Sequence, residues 1–112
     1  MSLFFKGVIS VITVFQDTNG FFNLLLNNYN IQMFEKQRTP NGVYYVGEGY
    51  SVRGEVFVLS VLIRVNTTEV KIFKVNPHNR TCVFQKNYST VNDKHSLSKS
   101  VSILKFLDKA LY

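Results

Sequence analysis

Short apolar runs separated by turn clusters, at intervals of about ten residues, restrict the folds open to this chain more than any other feature. The run VFVLSVLIRV, from Val56 to Val65, is apolar on both faces and rich in β-branched residues, which favours a strand. The turn clusters are QDTNG, RTPNG, NTT and NPHNR. This spacing is typical of an antiparallel barrel or sandwich.

The stretch NLLLNNYNIQMFEKQ, from Asn23 to Gln37, has two interpretations that lead to different fold classes. As one helix, its three leucines would share an apolar stripe with Tyr29, Met33 and Phe34. As two short strands around a tight turn, it would continue the pattern of the rest of the chain. The first interpretation gives a mixed α/β chain, and the second gives a nearly all-β barrel.

We prefer the interpretation with two strands that meet at Asn27 and Asn28. Asn tolerates the positive φ that a two-residue turn needs. Apolar and polar residues alternate after this pair, with the period of a strand. A helix would bury Asn27 or Asn30 among the leucines, at about 1–3 kcal/mol for each unpaired side chain. We therefore predict two strands here, with a single helix as the alternative.

The last seventeen residues, Ser96 to Tyr112, change period. They contain neither Gly nor Pro, and Ser96 is a suitable N-cap. Apolar residues recur at steps of three and four, at Leu97, Val101, Leu104, Leu107 and Leu111. The sequence therefore predicts an amphipathic helix at the C-terminus.

The fold class predicted for residues 1–112 is one mostly β domain. It comprises seven antiparallel strands, from a first strand at Phe4 to Phe15 onward, in a barrel or sandwich capped by the C-terminal helix. With 112 residues, of which 46% are apolar, the chain has enough apolar mass for a single core. The single cysteine, Cys82, excludes an internal disulfide and suits a reducing, cytoplasmic setting.

Several stretches resemble the pleckstrin-homology (PH) family. KGVISV resembles its first strand, FFNLLLNNYNIQMFEKQ its second and third, and TPNGVYYVGEGYSV its fourth. KIFKVNPHNRTCVFQKNYS resembles the sixth and seventh strands, and SVSILKFLDKAL the closing helix. The chain departs from the family in having no Trp and no Lys or Arg in VITVFQDTNGFFNLLLN, where lipid-binding members carry several.

The composition adds a narrower resemblance. Abundant Asn with Lys, Phe and Tyr is typical of an AT-rich genome. The chain is similar to the small PH-fold inner-membrane-complex sub-compartment proteins of apicomplexan parasites, which carry an acylated N-terminal extension. This resemblance implies a protein that is cytoplasmic and peripheral to a membrane.

Catalytic and metal-binding groups are scarce. Neither His78 nor His95 has a Ser, Cys or carboxylate at a catalytic spacing, and no cluster of metal ligands occurs in the sequence. We therefore predict no enzymatic activity, no metal and no cofactor. A net charge of +6 instead favours anionic partners such as membrane headgroups, nucleic acid or an acidic protein surface.

The resemblance to the PH family implies one rim that gathers the basic loop residues. The candidates for binding a lipid headgroup there are Lys6, Lys36, Arg38, His78 and Arg80. In such a patch, each cation would contribute about 1 kcal/mol to the free energy of binding to an anionic membrane. Polar loop tips are also an ordinary feature of a protein surface.

A protein interface is the function that we prefer, since the lipid signature of the family is missing. Tyr44 and Tyr45 are adjacent, so one of them faces outward on a strand, and Phe106 lies toward the polar side of the last helix. We therefore predict a non-catalytic PH-fold scaffold that docks a protein partner at or near a membrane surface. Binding of anionic phospholipid is the alternative, and binding of single-stranded nucleic acid is a second, less favoured one.

Overall fold

The computed structural model describes residues 17–89 and 101–112. Within them, two helices accompany one antiparallel sheet whose five strands follow each other in chain order, β1-β2-β3-β4-β5. The elements are α1 over residues 17–29, β1 (Gln32–Thr39), β2 (Gly42–Tyr50), β3 (Val56–Ile63), β4 (Thr67–Val75), β5 (Arg80–Ser89) and α2 (Val101–Leu111). The sheet is an open meander.

The predicted seven-stranded PH-like barrel is therefore wrong, although the described chain is mostly β. The sheet has five strands, and a helix precedes the first of them. The C-terminal helix is confirmed over Val101–Leu111. The predicted first strand from Phe4 to Phe15 and the predicted N-cap Ser96 lie outside the described residues.

Helix α1 replaces both the predicted QDTNG turn and the predicted strand FFNLLLN. Its buried side chains recur at helical spacing and form one stripe: Thr18, Phe21, Phe22, Leu25 and Tyr29. The asparagines fall on the other side, and Asn23, Asn27 and Asn28 are exposed. We had expected a helix here to bury Asn among the leucines. It does not, because the buried stripe starts at Thr18 and runs through Phe21, Phe22 and Leu25, which leaves the asparagines exposed.

Asn30 ends α1 and turns the chain toward β1. Its φ of 56° is left-handed, a conformation that Asn adopts more easily than most residues and that commonly ends helices. The backbone N–H of Ile31 donates to the carbonyl of Leu25 at 3.3 Å, which satisfies one acceptor of the final turn. The turn that we expected at Asn27 and Asn28 thus lies slightly later, as a helix end.

The core lies between the sheet and the two helices. Antiparallel pairing aligns Tyr45 with Val61 and Val61 with Val70, and all three are fully buried on the face that packs against the helices. A Cβ at Gly49 would lie 2.5 Å from Cγ1 of Ile31, and one at Gly47 would lie 2.9 Å from Cε1 of Phe22. Glycine at these positions therefore lets Phe22 of α1 and Ile31, just after α1, approach the sheet closely.

Helix α2 packs on the same core through Ile103, Leu107 and Leu111. Two contacts fix it to strand β5. The rings of Phe84 and Phe106 lie 5.2 Å apart between centroids, and Nζ of Lys86 donates to Oγ of Ser102 at 2.8 Å.

Candidate functional site

The basic candidates do not meet at one rim. Lys36 and Arg38 lie on β1, near the β1–β2 turn, whereas His78 lies in the β4–β5 turn and Arg80 begins β5. Strands β1 and β5 are opposite edges of the sheet, and in this meander those two turns lie at opposite ends. Lys6 lies outside the described residues.

The three candidates for a protein interface are also dispersed. Tyr45 is fully buried, and its ring stacks on Phe22 with 6.0 Å between centroids. Tyr44 is half-buried on the opposite face of the sheet, as the alternation of a strand requires. Phe106 is half-buried against Phe84. These residues form no common surface patch.

Residues 17–89 and 101–112 contain no group of three or more His, Cys, Asp or Glu side chains placed to hold a metal ion. Neither helix in the same ranges has the length and apolar character needed to cross a bilayer.

A groove of about 550 Å³ opens where the C-terminal ends of α1 and α2 meet the loop after β2. We call it the helix-end groove. Three separate segments line it. They are the end of α1 with the residue after it (Leu26, Asn27, Asn28, Tyr29 and Asn30), the end of β2 with its loop (Tyr50, Ser51 and Val52), and the end of α2 with the residue after it (Leu111 and Tyr112).

Exposed apolar side chains concentrate around this groove. Leu26 is 42% exposed, Tyr50 58%, Val52 72% and Tyr112 61%. They are half of the large apolar side chains that are exposed in the described part of the chain. Single exposed apolar residues are ordinary, whereas a group of them around one concave surface makes this groove the candidate interaction site.

Hydrogen bonds between the segments hold the groove in shape. The hydroxyl of Tyr29 on α1 donates to Oδ1 of Asp108 on α2 at 2.6 Å. The hydroxyl of Tyr112 donates to the carbonyl of Asn28, and the rings of Tyr29 and Tyr112 lie 5.8 Å apart between centroids. The backbone N–H of Val52 donates to the carbonyl of Leu111 at 3.0 Å, which attaches the loop to the end of α2.

The loop that carries Val52 has its own internal bonds. The buried Ser51 hydroxyl oxygen accepts from the backbone N–H of Arg53 at 3.2 Å and of Glu55 at 3.0 Å. The Glu55 carboxylate pairs with Nζ of Lys74 at 2.5 Å and with Nε of Arg53 at 3.0 Å. These two partners, Lys74 first, lower the pKa of Glu55 below its usual value. The loop therefore presents Val52 from a fixed conformation.

Two tyrosine hydroxyls of the groove are hydrogen-bonded to carboxylates. Burial, followed by the hydrogen bond to Asp108, raises the pKa of Tyr29 to about 12. The hydroxyl of Tyr50 donates to Oε1 of Glu48 at 2.9 Å, and this bond raises the pKa of Tyr50. Both hydroxyls are protonated donors at neutral pH. The lining offers aromatic, aliphatic, amide and hydroxyl groups, which is a set suited to binding.

Sequence reasoning missed this groove. The helical stripe from Thr18 to Tyr29 would have revealed α1 and placed Leu26 on its outer face. The meeting of the two helix ends with the loop at Val52 depends on long-range packing, for which the sequence carries no local signal.

Comparisons of the chain with protein-family models, with curated proteins and with solved structures gave no match. The resemblance to the PH family therefore has only the sequence pattern behind it, and the five-stranded open sheet contradicts the fold that it implied.

Proposed function

We propose that this protein is a non-catalytic docking module that binds an extended segment of a protein partner in the helix-end groove. One observation carries the proposal: four large apolar side chains, Leu26, Tyr50, Val52 and Tyr112, are exposed around one concave surface. Aromatic residues are enriched in the buried centres of protein interfaces. The groove takes the place of the dispersed Tyr44, Tyr45 and Phe106 as the candidate interface.

The fixed shape of the groove supports this proposal. Ordering a flexible side chain on binding costs about 0.5–1.5 kcal/mol. In the helix-end groove, Tyr29 and Tyr112 are already held by hydrogen bonds, and so is the loop at Val52. Less conformational freedom is therefore lost when a partner segment binds.

A cytoplasmic position near a membrane surface is part of the proposal, because the net charge of +6 attracts the chain to anionic headgroups. Specific lipid binding receives less support, since the described basic candidates lie at opposite edges and ends of the sheet. Binding of single-stranded nucleic acid has no specific observation in its favour.

Selection of peptides from a random display library tests the proposal. Immobilised wild-type protein is the bait, and enriched peptides are then measured against two matched variants. Val52→Asp places a charge in the groove, whereas Val65→Asp places the same charge at the other end of β3, on a side chain that is 83% exposed. Both substitutions affect exposed side chains, so both variants are expected to fold.

We expect enriched peptides that bind the wild type and Val65→Asp equally and lose at least about tenfold in affinity for Val52→Asp, because an unpaired charge must then be desolvated in the interface. No enrichment, or equal binding to both variants, would contradict the proposal. If the protein instead sediments with phosphatidylserine vesicles at physiological salt while no peptide is enriched, the lipid alternative is favoured.

A further inference from the structure

Tyrosine residues and the C-terminal ends of two helices meet at the helix-end groove. Tyr29, Tyr50 and Tyr112 all line it, and the face of a tyrosine ring attracts cations. Both helices end there, and the C-terminal end of a helix carries a partial negative charge of about half an elementary unit. Ring faces and helix ends therefore favour the same kind of ligand group.

Two of the lining tyrosines donate hydrogen bonds to carboxylates. Asp108 accepts a hydrogen bond from the hydroxyl of Tyr29 at 2.6 Å, and Glu48 accepts one from the hydroxyl of Tyr50 at 2.9 Å. An anionic acceptor increases the electron density of the tyrosine that donates to it, so the ring face attracts a cation more strongly.

Among residues 17–89 and 101–112, no Lys or Arg lines the groove. None of its ten lining residues has a charged side chain. Arg53, which follows Val52, is paired with Glu55 at 3.0 Å. Lys109 lies in the last turn of α2 but does not line the groove.

Elsewhere in the fold, lysines already lie over tyrosine rings. Nζ of Lys36 is 5.3 Å from the ring centroid of Tyr45, and Nζ of Lys86 is 5.2 Å from that of Tyr88. In the groove, Tyr50 and Tyr112 are exposed, and none of the lining residues is a lysine that could cover them.

We infer that the helix-end groove binds the side chain of an Arg or Lys in the partner segment, with apolar residues on either side of it. The inference rests on the proposed function and specifies the chemistry of the partner. The cationic group lies against the exposed tyrosines, Tyr50 and Tyr112, near the two helix ends, and the neighbouring apolar residues contact Leu26 and Val52.

A synthetic peptide array isolates the contribution of the charge. Each peptide has a fixed central residue, either Arg or its neutral isostere citrulline, flanked by identical mixtures of Leu, Tyr, Ser and Gly. The array is probed with the wild type, with Tyr50→Leu and with Phe34→Leu. Tyr50 and Phe34 are 58% and 57% exposed, so the two variants remove matched aromatic rings inside and outside the groove.

We expect the wild type and Phe34→Leu to prefer Arg peptides over their citrulline partners by about fivefold to thirtyfold, because ring and helix-end attractions act together. In Tyr50→Leu, which keeps an apolar side chain, we expect this preference to fall at least about threefold while binding of citrulline peptides is retained.

The other outcomes separate the two proposals. Equal binding of Arg and citrulline peptides by the wild type would overturn the inference and leave the docking groove standing. An Arg preference that Tyr50→Leu retains in full would overturn the assignment of the cation to this groove. Absence of binding to any peptide, together with a display selection that enriches none, would overturn the inference and the proposed function together.

Discussion

Tyr29 connects helices α1 and α2 and also lines the proposed binding groove. Its ring is buried beside Tyr112, and its hydroxyl donates to Asp108 on the other helix at 2.6 Å. In sequence terms Tyr29 was one apolar residue of an ambiguous stretch, and nothing local identifies Asp108 as its partner.

Replacing Tyr29 with Phe tests this bond. At neutral pH we expect Tyr29→Phe to lower the free energy of unfolding by about 1–2 kcal/mol, since a partly buried hydrogen bond to a carboxylate is removed while the ring is kept. Urea denaturation of the wild type and the variant measures the loss. A difference below about 0.3 kcal/mol at neutral pH would show that the bond contributes little.

The raised pKa of Tyr29 adds a dependence on pH. Its pKa in the folded protein is about 12, above the usual 10.0, so the unfolded chain releases this proton at lower pH than the folded one. The stabilisation is complete below pH 10.0 and is lost as the pH rises from there toward about 12. The difference in free energy of unfolding between the wild type and Tyr29→Phe should therefore shrink over this pH range. A difference that grows with pH would contradict a raised pKa for Tyr29.

At the scale of elements, α1 is a case in which tertiary packing outweighs the local preference of the sequence for a turn. Asn19 and Gly20 form a dipeptide that favours hairpins, yet both residues are helical. The apolar residues around them, Phe21, Phe22 and Leu25, bury together against the sheet only when the backbone is helical. Packing of such a stripe outweighs a single turn signal, because the burial of each large side chain contributes about 1.5–3 kcal/mol.

Two glycine substitutions test the helical conformation of α1 and the close packing of the residue that follows it on β2. Gly20 is exposed, and a Cβ added there would meet nothing within 4 Å. Because Ala is the better helix former, we expect Gly20→Ala to stabilise the protein by about 0.5–1 kcal/mol. In contrast, we expect Gly49→Ala to destabilise it by about 1–3 kcal/mol, since the new methyl would lie 2.5 Å from Ile31.

Thermal and urea unfolding of the two variants beside the wild type measure both effects. If residues 19–20 formed the hairpin turn that the sequence suggested, Gly20→Ala would destabilise the protein instead, because Ala tolerates a positive φ poorly. A neutral Gly49→Ala would indicate that Ile31, just after α1, does not pack closely on β2.

At the scale of the whole molecule, the sequence predicted the parts that depend on neighbouring residues. Strands β3, β4 and β5 were confirmed, since each is an apolar or alternating run between strong turn signals. The closing helix was also confirmed. The arrangement of these elements was not predictable in the same way, because the assumed barrel placed Lys36 and Arg80 on one rim while the open meander places them on opposite edges.

The groove is a property of the whole molecule as well. Leu26, Val52 and Tyr112 come from three segments that are far apart in the sequence, and they meet because both helices cross the same sheet face and end near the same loop. Both proposals depend on this meeting of α1 and α2.

Nuclear Overhauser effects between the aromatic protons of Tyr29 and Tyr112 test that meeting most directly, because the two ring centroids are 5.8 Å apart. We predict clear cross-peaks between the two rings, together with helical Cα chemical shifts over residues 17–29. Strand-type shifts in that range and no cross-peak between the rings would show that the helix ends do not meet and that the groove does not exist.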